Sequence, residues 1–88
     1  MNTRIKLNHD FQPFAGHREI VEVSGNTVKE CLDSFIGLYP VFRQILFDVD
    51  GILQILVFYS NELVVPDELD RPVSEPGELS LMPMIQGG

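Results

Sequence analysis

The chain has 88 residues, of which thirteen are acidic and six basic, giving a formal net charge of −7. A chain this short buries only about 60–65% of the surface its unfolded form exposes, which supports one small core and leaves no room for an enclosed cleft between domains. Nucleic acid and anionic membrane are poor partners for it, because both are held by Lys and Arg neutralising phosphate, so a basic protein surface is the natural complement.

The segment Met1-Asn2-Thr3-Arg4-Ile5-Lys6 has no apolar run behind it and does not read as a signal peptide. Ile5 and Leu7 alternate with Lys6 and Asn8, the period-two pattern of a strand with one buried face. A loop is expected through Gln12-Pro13-Phe14-Ala15-Gly16. Glu19 to Val23 is β-branched and partly alternating, a second strand, and Ser24-Gly25-Asn26 is turn chemistry. Thr27-Val28-Lys29-Glu30 fits a capping box at a helix start. From there Val28, Cys31, Leu32, Phe35, Leu38 and Tyr39 recur at spacings of three and four, a stripe facing a core. Pro40 ends that helix, since the residue before a proline avoids helical backbone. Val41 to Phe47 has the composition of a further helical turn or two, and Asp48-Val49-Asp50-Gly51 is a loop.

Ile55 to Tyr59 is the strongest strand signal, and as the longest apolar run it falls far short of the ~20 residues a membrane helix needs. Ser60-Asn61-Glu62 is a tight-turn candidate, with Leu63-Val64-Val65 returning as a short strand. Asp67 to Val73 is polar, with at most one turn of helix, and Pro76-Gly77 marks another turn. Glu78 to Met82 alternates as a last strand, which Pro83 either stops or confines to a sheet edge. The order predicts an α+β domain over residues 1–83, one main helix on a mixed sheet, followed by a flexible tail over 84–88.

Catalytic readings of the side chains fail. Cys31 is the single cysteine, so no internal disulfide forms, which fits a reducing, cytoplasmic compartment. On the apolar helix face it reads as a small hydrophobe and not as a nucleophile. His9 and His17 are separated by a loop and lack the further ligands a metal needs. Asp48 and Asp50 begin a calcium-loop pattern, but Leu53 and Ile55 stand where oxygen ligands are wanted. The acidic stretch Asp67, Glu68, Asp70 and Glu75 is a solvated face or a docking surface for a basic partner.

The carboxyl end is different. It reads Met82-Pro83-Met84-Ile85-Gln86-Gly87-Gly88. At ~7% glycine usage, a terminal pair arises by chance in about one chain in two hundred. Gly-Gly lacks side chains and can thread a channel that would exclude any other pair. Beyond Pro83 five residues reach at most ~18 Å, enough to enter another protein's active site. Gly88 would carry a carboxylate open to activation, Gly87 would give it access, and Met82, Met84 and Ile85 are candidate anchors for the tail.

The strand order, the helix start at Gly25-Asn26-Thr27-Val28, and the run from Pro72 through Glu75-Pro76-Gly77 and Leu79-Ser80-Leu81-Met82-Pro83 into Gly87-Gly88 resemble the MoaD/ThiS sulfur carriers of the ubiquitin-like β-grasp fold. The chain departs from that pattern at Ser60-Asn61, where an Asn-Gly turn is common, and at Met84 and Gln86 in the tail. The resemblance implies a carrier and not a catalyst. A ubiquitin-activating-type enzyme would adenylate Gly88 with ATP, with no cofactor bound to the carrier itself. A sulfur donor would convert the adenylate to a thiocarboxylate, and a biosynthetic enzyme would receive the sulfur. The length favours the small subunit of molybdopterin synthase, acting with its large subunit in molybdenum cofactor biosynthesis. Carriers for cysteine or thiazole formation, a protein modifier joined to lysine through Gly88, and an inert β-grasp interaction module are the alternatives.

Overall fold

In the computed structural model, which describes residues 3–74 and 76–84, five strands form one mixed sheet: β1 (Thr3–Leu7), β2 (Ile20–Val23), β3 (Ile55–Tyr59), β4 (Glu62–Val64) and β5 (Glu78–Pro83). Their spatial order is β2-β1-β5-β3-β4, and β1 with β5 is the parallel pair. The crossover between β2 and β3 carries two helices, α1 (Val28–Leu38) and α2 (Phe42–Leu46).

Alternation decides which face is buried. Thr3, Ile5 and Leu7 of β1, Val21 and Val23 of β2, Ile55 and Val57 of β3, Val64 of β4, and Leu79 and Leu81 of β5 all point to one side and are buried. Helix α1 covers that side with Val28, Cys31, Leu32, Phe35 and Ile36. At its core Phe35 packs on Phe42 of α2 with ring centroids 4.6 Å apart, and on Tyr39 at 5.7 Å. Phe11 meets Phe42 edge-on at 6.1 Å.

The helix starts where the capping box predicts, with one exchange of partners. The Thr27 hydroxyl accepts from the Glu30 N–H at 3.1 Å, while the Glu30 carboxylate accepts from Asn26, one residue earlier than expected, at 2.9 Å. Gly25 lets the chain pass close to this first turn, since a Cβ there would stand 2.7 Å from the Cys31 nitrogen.

Five local expectations change or are narrowed. Leu38 is 57% exposed, and Ile36 is buried in its place, because α1 ends beside edge strand β2 and Phe42 closes the core beneath its last turn. Gln12–Ala15 is a 3-10 turn with Pro13 in its first positions, too short to leave a periodic signal. The return strand is Glu62–Val64, one residue early, because Ser60 and Asn61 alone form the turn, both left-handed with φ of 50° and 68°. Pro83 ends a central strand and is not on an edge: its missing N–H falls at the last paired position, opposite Ile55. The helical turn expected within 67–73 is a single 3-10 turn at Pro66–Glu68.

Candidate functional site

The register gives the two ends of the sheet different characters. Strands β1 and β5 run in parallel, so the end of β5 at Pro83 lies with the end of β1 at Leu7, the start of β3 at Ile55 and the start of β2 at Ile20. The chain leaves the sheet at this end through Met84. Ile85, Gln86, Gly87 and Gly88, with the tail roles assigned to Ile85, Gly87 and Gly88, lie outside the described residues.

On the face of the sheet not covered by helices, side chains form cross-strand rows. Nearest the exit, Met82 of β5 stands opposite Leu56 of β3. In the next row Lys6 faces Ile20 on one side and Ser80 on the other, and Phe58 faces Ser80 and Leu63. Met82 is 41% exposed and Leu63 47%, while Leu56 and Phe58 are half-buried. These four apolar side chains make a continuous platform on the β5–β3–β4 half of the open face, immediately before exposed Met84. The expected anchors Met82 and Met84 are therefore placed at the exit. Their platform partners Leu56, Phe58 and Leu63 were missed, because period-two reading of β3 shows an unbroken apolar run and does not say which members face out.

The third row is polar. Arg4 has Glu22 and Glu78 as its cross-strand neighbours, in an open depression of about 650 Å³ lined also by Ser60, Asn61 and Gly77.

Asp67, Glu68 and Asp70 are not beside Met84. The segment that carries them closes the first turn of α1, where the Lys29 N–H donates to the Leu69 carbonyl at 2.8 Å and the Val28 N–H to the Arg71 carbonyl at 3.0 Å. That turn lies by Gly25, past the end of β2 at Val23, so the carboxylates stand at the far end of the sheet, about 17 Å from the exit by the length of β5. Acidic groups around a helix N-terminus also complement its positive dipole. Glu75 lies outside the described residues.

The same far end is tied down by Tyr59. Its hydroxyl oxygen accepts from the Ser74 N–H at 2.9 Å and lies 3.3 Å from the Ser74 hydroxyl, while the Arg71 guanidinium sits 5.5 Å from the ring centroid and pairs with Glu62. The Ser74 hydroxyl, then the Ser74 N–H, hold the Tyr59 phenol below the usual tyrosine range, and the Arg71 charge adds to this. Cys31 is fully buried, with its sulfur 3.7 Å from the Gly25 carbonyl oxygen. His9 and His17 are exposed. No helix among the described residues is long and apolar enough to cross a membrane.

A five-stranded mixed sheet with one main helix across it, whose central last strand runs out beside an apolar open face, defines a ubiquitin-like β-grasp domain. The chain belongs to the ThiS family, whose model matches residues 5–88, and so to the ubiquitin-like sulfur carriers of ThiS/MoaD type. Among solved structures, it is similar to SAMP1 from Haloferax volcanii, with 29% identity, 100% of both chains covered and a TM-score of 0.85. It shares its fold with CysO in the Amycolatopsis orientalis BexX/CysO complex, at 22% identity over 98% of this chain and 99% of that one, TM-score 0.83. It shares it also with the complex of subunits 1 and 2 of the molybdopterin-converting factor from Helicobacter pylori, at 19% identity over 100% of both chains, TM-score 0.66. No curated protein sequence matches the chain.

Proposed function

We propose that the chain carries sulfur as a thiocarboxylate on Gly88 and delivers it to the large subunit of a molybdopterin synthase. The observation that supports this most is the placement of β5. The last described residues of a family match that runs through Gly88 emerge at the rim of an exposed apolar platform, Met82, Leu56, Phe58 and Leu63. A partner that covers the platform meets the end of β5 and Met84 at its rim.

The chemistry follows from the terminal group. A free carboxylate is a poor acyl electrophile. Its oxygen attacks the α-phosphate of ATP on an adenylating partner, pyrophosphate leaves, and the acyl-adenylate offers AMP as a good leaving group. Hydrosulfide supplied by a sulfur donor adds to the acyl carbon, AMP departs with the electrons of the broken C–O bond, and the sulfur stays on Gly88 as the thiocarboxylate. The carrier takes no catalytic part: it supplies the acyl group and the surface that positions it. Burial of the apolar platform fits this division, since Met82 and Leu63 gain only when a partner removes them from water.

A second reading is a protein modifier joined to lysine through Gly88. It is favoured by the full-length likeness to SAMP1, at 29% identity. Expression in cells that lack the molybdopterin synthase small subunit separates the two readings. Restored molybdenum-enzyme activity that is lost on deletion of Gly88 supports the carrier. Unrestored cells whose proteins acquire the chain's tail on lysine point to the modifier.

A further inference from the structure

Among the described residues, Val49 is the most exposed of the large apolar side chains, at 101%, and Ile52 close by is 55% exposed. Both lie on a short arm between α2 and β3, a hairpin whose ends Phe47 and Leu53 bridge each other. The arm is fixed from within. The Asp48 N–H donates to the Ile52 carbonyl and the Gly51 N–H to the Asp48 carbonyl, both at 2.9 Å, with Gly51 left-handed at φ 77°. Asp48 Oδ1 accepts from the N–H groups of Asp50 and Ile52, again at 2.9 Å. Gln54 ties the base of the arm to α2: its side-chain amide donates to the Gln44 carbonyl at 2.7 Å and lies 3.3 Å from those of Ile45 and Phe47. A backbone held in this way keeps Val49 in water, and it has little ordering entropy left to lose when a partner covers it.

Register sets where the arm stands. Ile55 pairs with Pro83, so the arm leads into the sheet at the end where the chain leaves through Met84. Beside it a depression of about 600 Å³ is lined by Arg43, Gln44, Phe47, Asp48, Val49 and Gln54. At the tip Asp48 and Asp50 flank Val49. Through α2 the arm belongs to the helix side of the sheet, whereas the Met82–Leu63 platform lies on the open face, so the two are separate surfaces that both reach the exit end.

We infer that this arm is a docking element for the adenylating partner, which takes Val49 and Ile52 into an apolar socket with a cationic rim. The inference rests on the reading that Gly88 is adenylated. Two features select this occupant. The first is position. Five residues beyond Pro83 span at most about 18 Å, so an enzyme working on Gly88 holds the domain by its exit end, where the arm is. The second is charge. An enzyme that opens ATP surrounds the phosphates with cationic groups, and the arm turns Asp48 and Asp50 toward that surface. Val49 and Ile52 then leave water only in the complex, which is where their burial stabilises.

ATP–pyrophosphate exchange on the full chain, with an adenylating enzyme of the ubiquitin-activating type from the same cells, tests this. Val49→Ser combined with Ile52→Ser should raise the KM for the carrier by about tenfold or more. The kcat at saturation should stay unchanged, because the anchor is lost and the reacting carboxylate is not. Asp50→Lys should raise the KM several-fold at about 0.05 M ionic strength and approach the parent at about 0.5 M, as salt screens the pairing. Asp33→Lys makes the same change of charge on the exposed side of α1 and should leave the KM within about twofold of the parent. All these side chains are exposed, and unchanged circular dichroism checks that the fold survives.

A parent that is adenylated while the arm variants keep its KM overturns the inference and leaves adenylation standing. So does a loss confined to kcat, or a KM that moves as far for Asp33→Lys as for Asp50→Lys. A dimer in sedimentation that the Val49→Ser and Ile52→Ser changes dissolve would assign the arm to a second copy instead, and also overturns it. A parent that is not adenylated, under conditions in which the enzyme charges its own carrier, overturns both readings.

Discussion

Replacing Phe35 with alanine probes the one place where both helices and the sheet depend on a single side chain. Phe35 is fully buried, with Phe42 at 4.6 Å and Tyr39 at 5.7 Å between ring centroids. Removing the ring leaves a cavity under α1 and strips α2 of its main contact with it. Substitutions of this type cost about 3–5 kcal/mol. A chain of 88 residues has total stability of about 4–13 kcal/mol at 0.05–0.15 kcal/mol per residue, so a large share is lost. In urea, with a slope near 1.2 kcal/mol/M, the unfolding midpoint should fall by about 3 M, and a less stable parent would start partly unfolded. Leu38→Ala is the control on the same helix. At 57% exposure it should shift stability by less than about 0.5 kcal/mol. Equal effects of the two substitutions, or a midpoint for Phe35→Ala within about 0.5 M of the parent, would refute the assignment of the helix face.

Two glycines make an opposed pair. Gly25→Ala should destabilise by about 1–3 kcal/mol, because its Cβ would press 2.7 Å from the Cys31 nitrogen. Gly37→Ala meets nothing within 4 Å and lies inside α1, so thermal unfolding should show a gain of up to about 1 kcal/mol. Thr27→Ala removes the hydroxyl that accepts from Glu30 and should cost about 1 kcal/mol in the same assay, with Thr27→Ser largely sparing it. Tyr59 should ionise below the range of free tyrosine in a UV-monitored titration, and Ser74→Ala should move it back up. Since the folded form gives up this proton first, the unfolded chain binds more protons in that window. The contribution of Tyr59 to stability therefore grows as pH rises through its folded pKa and is absent below it. A Ser74→Ala titration that coincides with the parent's would contradict the stated cause.

The sequence carried the local rules of the fold clearly and the long-range ones poorly. Thr27 and Glu30 mark the start of α1 because a cap is a contact between near neighbours in the chain. Ser60-Asn61 marks the β3–β4 turn for the same reason, since the left-handed backbone must be met on the spot. Leu38 misleads because a helical stripe gives only a direction, and what lies in that direction is decided by where α1 ends against β2 and by Phe42. The acidic residues Asp67, Glu68 and Asp70 precede the last strand in sequence, and only the fold shows at which end of the sheet they stand. The segment stands where β5 begins, at the end opposite Pro83, and its hydrogen bonds hold it over the first turn of α1. Leu56, Phe58 and Leu63 became legible as a surface only once β5 and β4 were placed on either side of β3.

The most direct test of sulfur carriage is the intact mass of the protein after incubation with an adenylating enzyme of the ubiquitin-activating type, ATP and a sulfur donor. The account predicts a mass gain equal to the exchange of one oxygen for one sulfur, placed by fragmentation on the carboxyl of Gly88. It also predicts that a chain lacking Gly88 stays unchanged while remaining folded. An unchanged mass under conditions in which the same enzyme charges its own carrier would contradict it, as would a sulfur found on Cys31 in place of the terminal glycine.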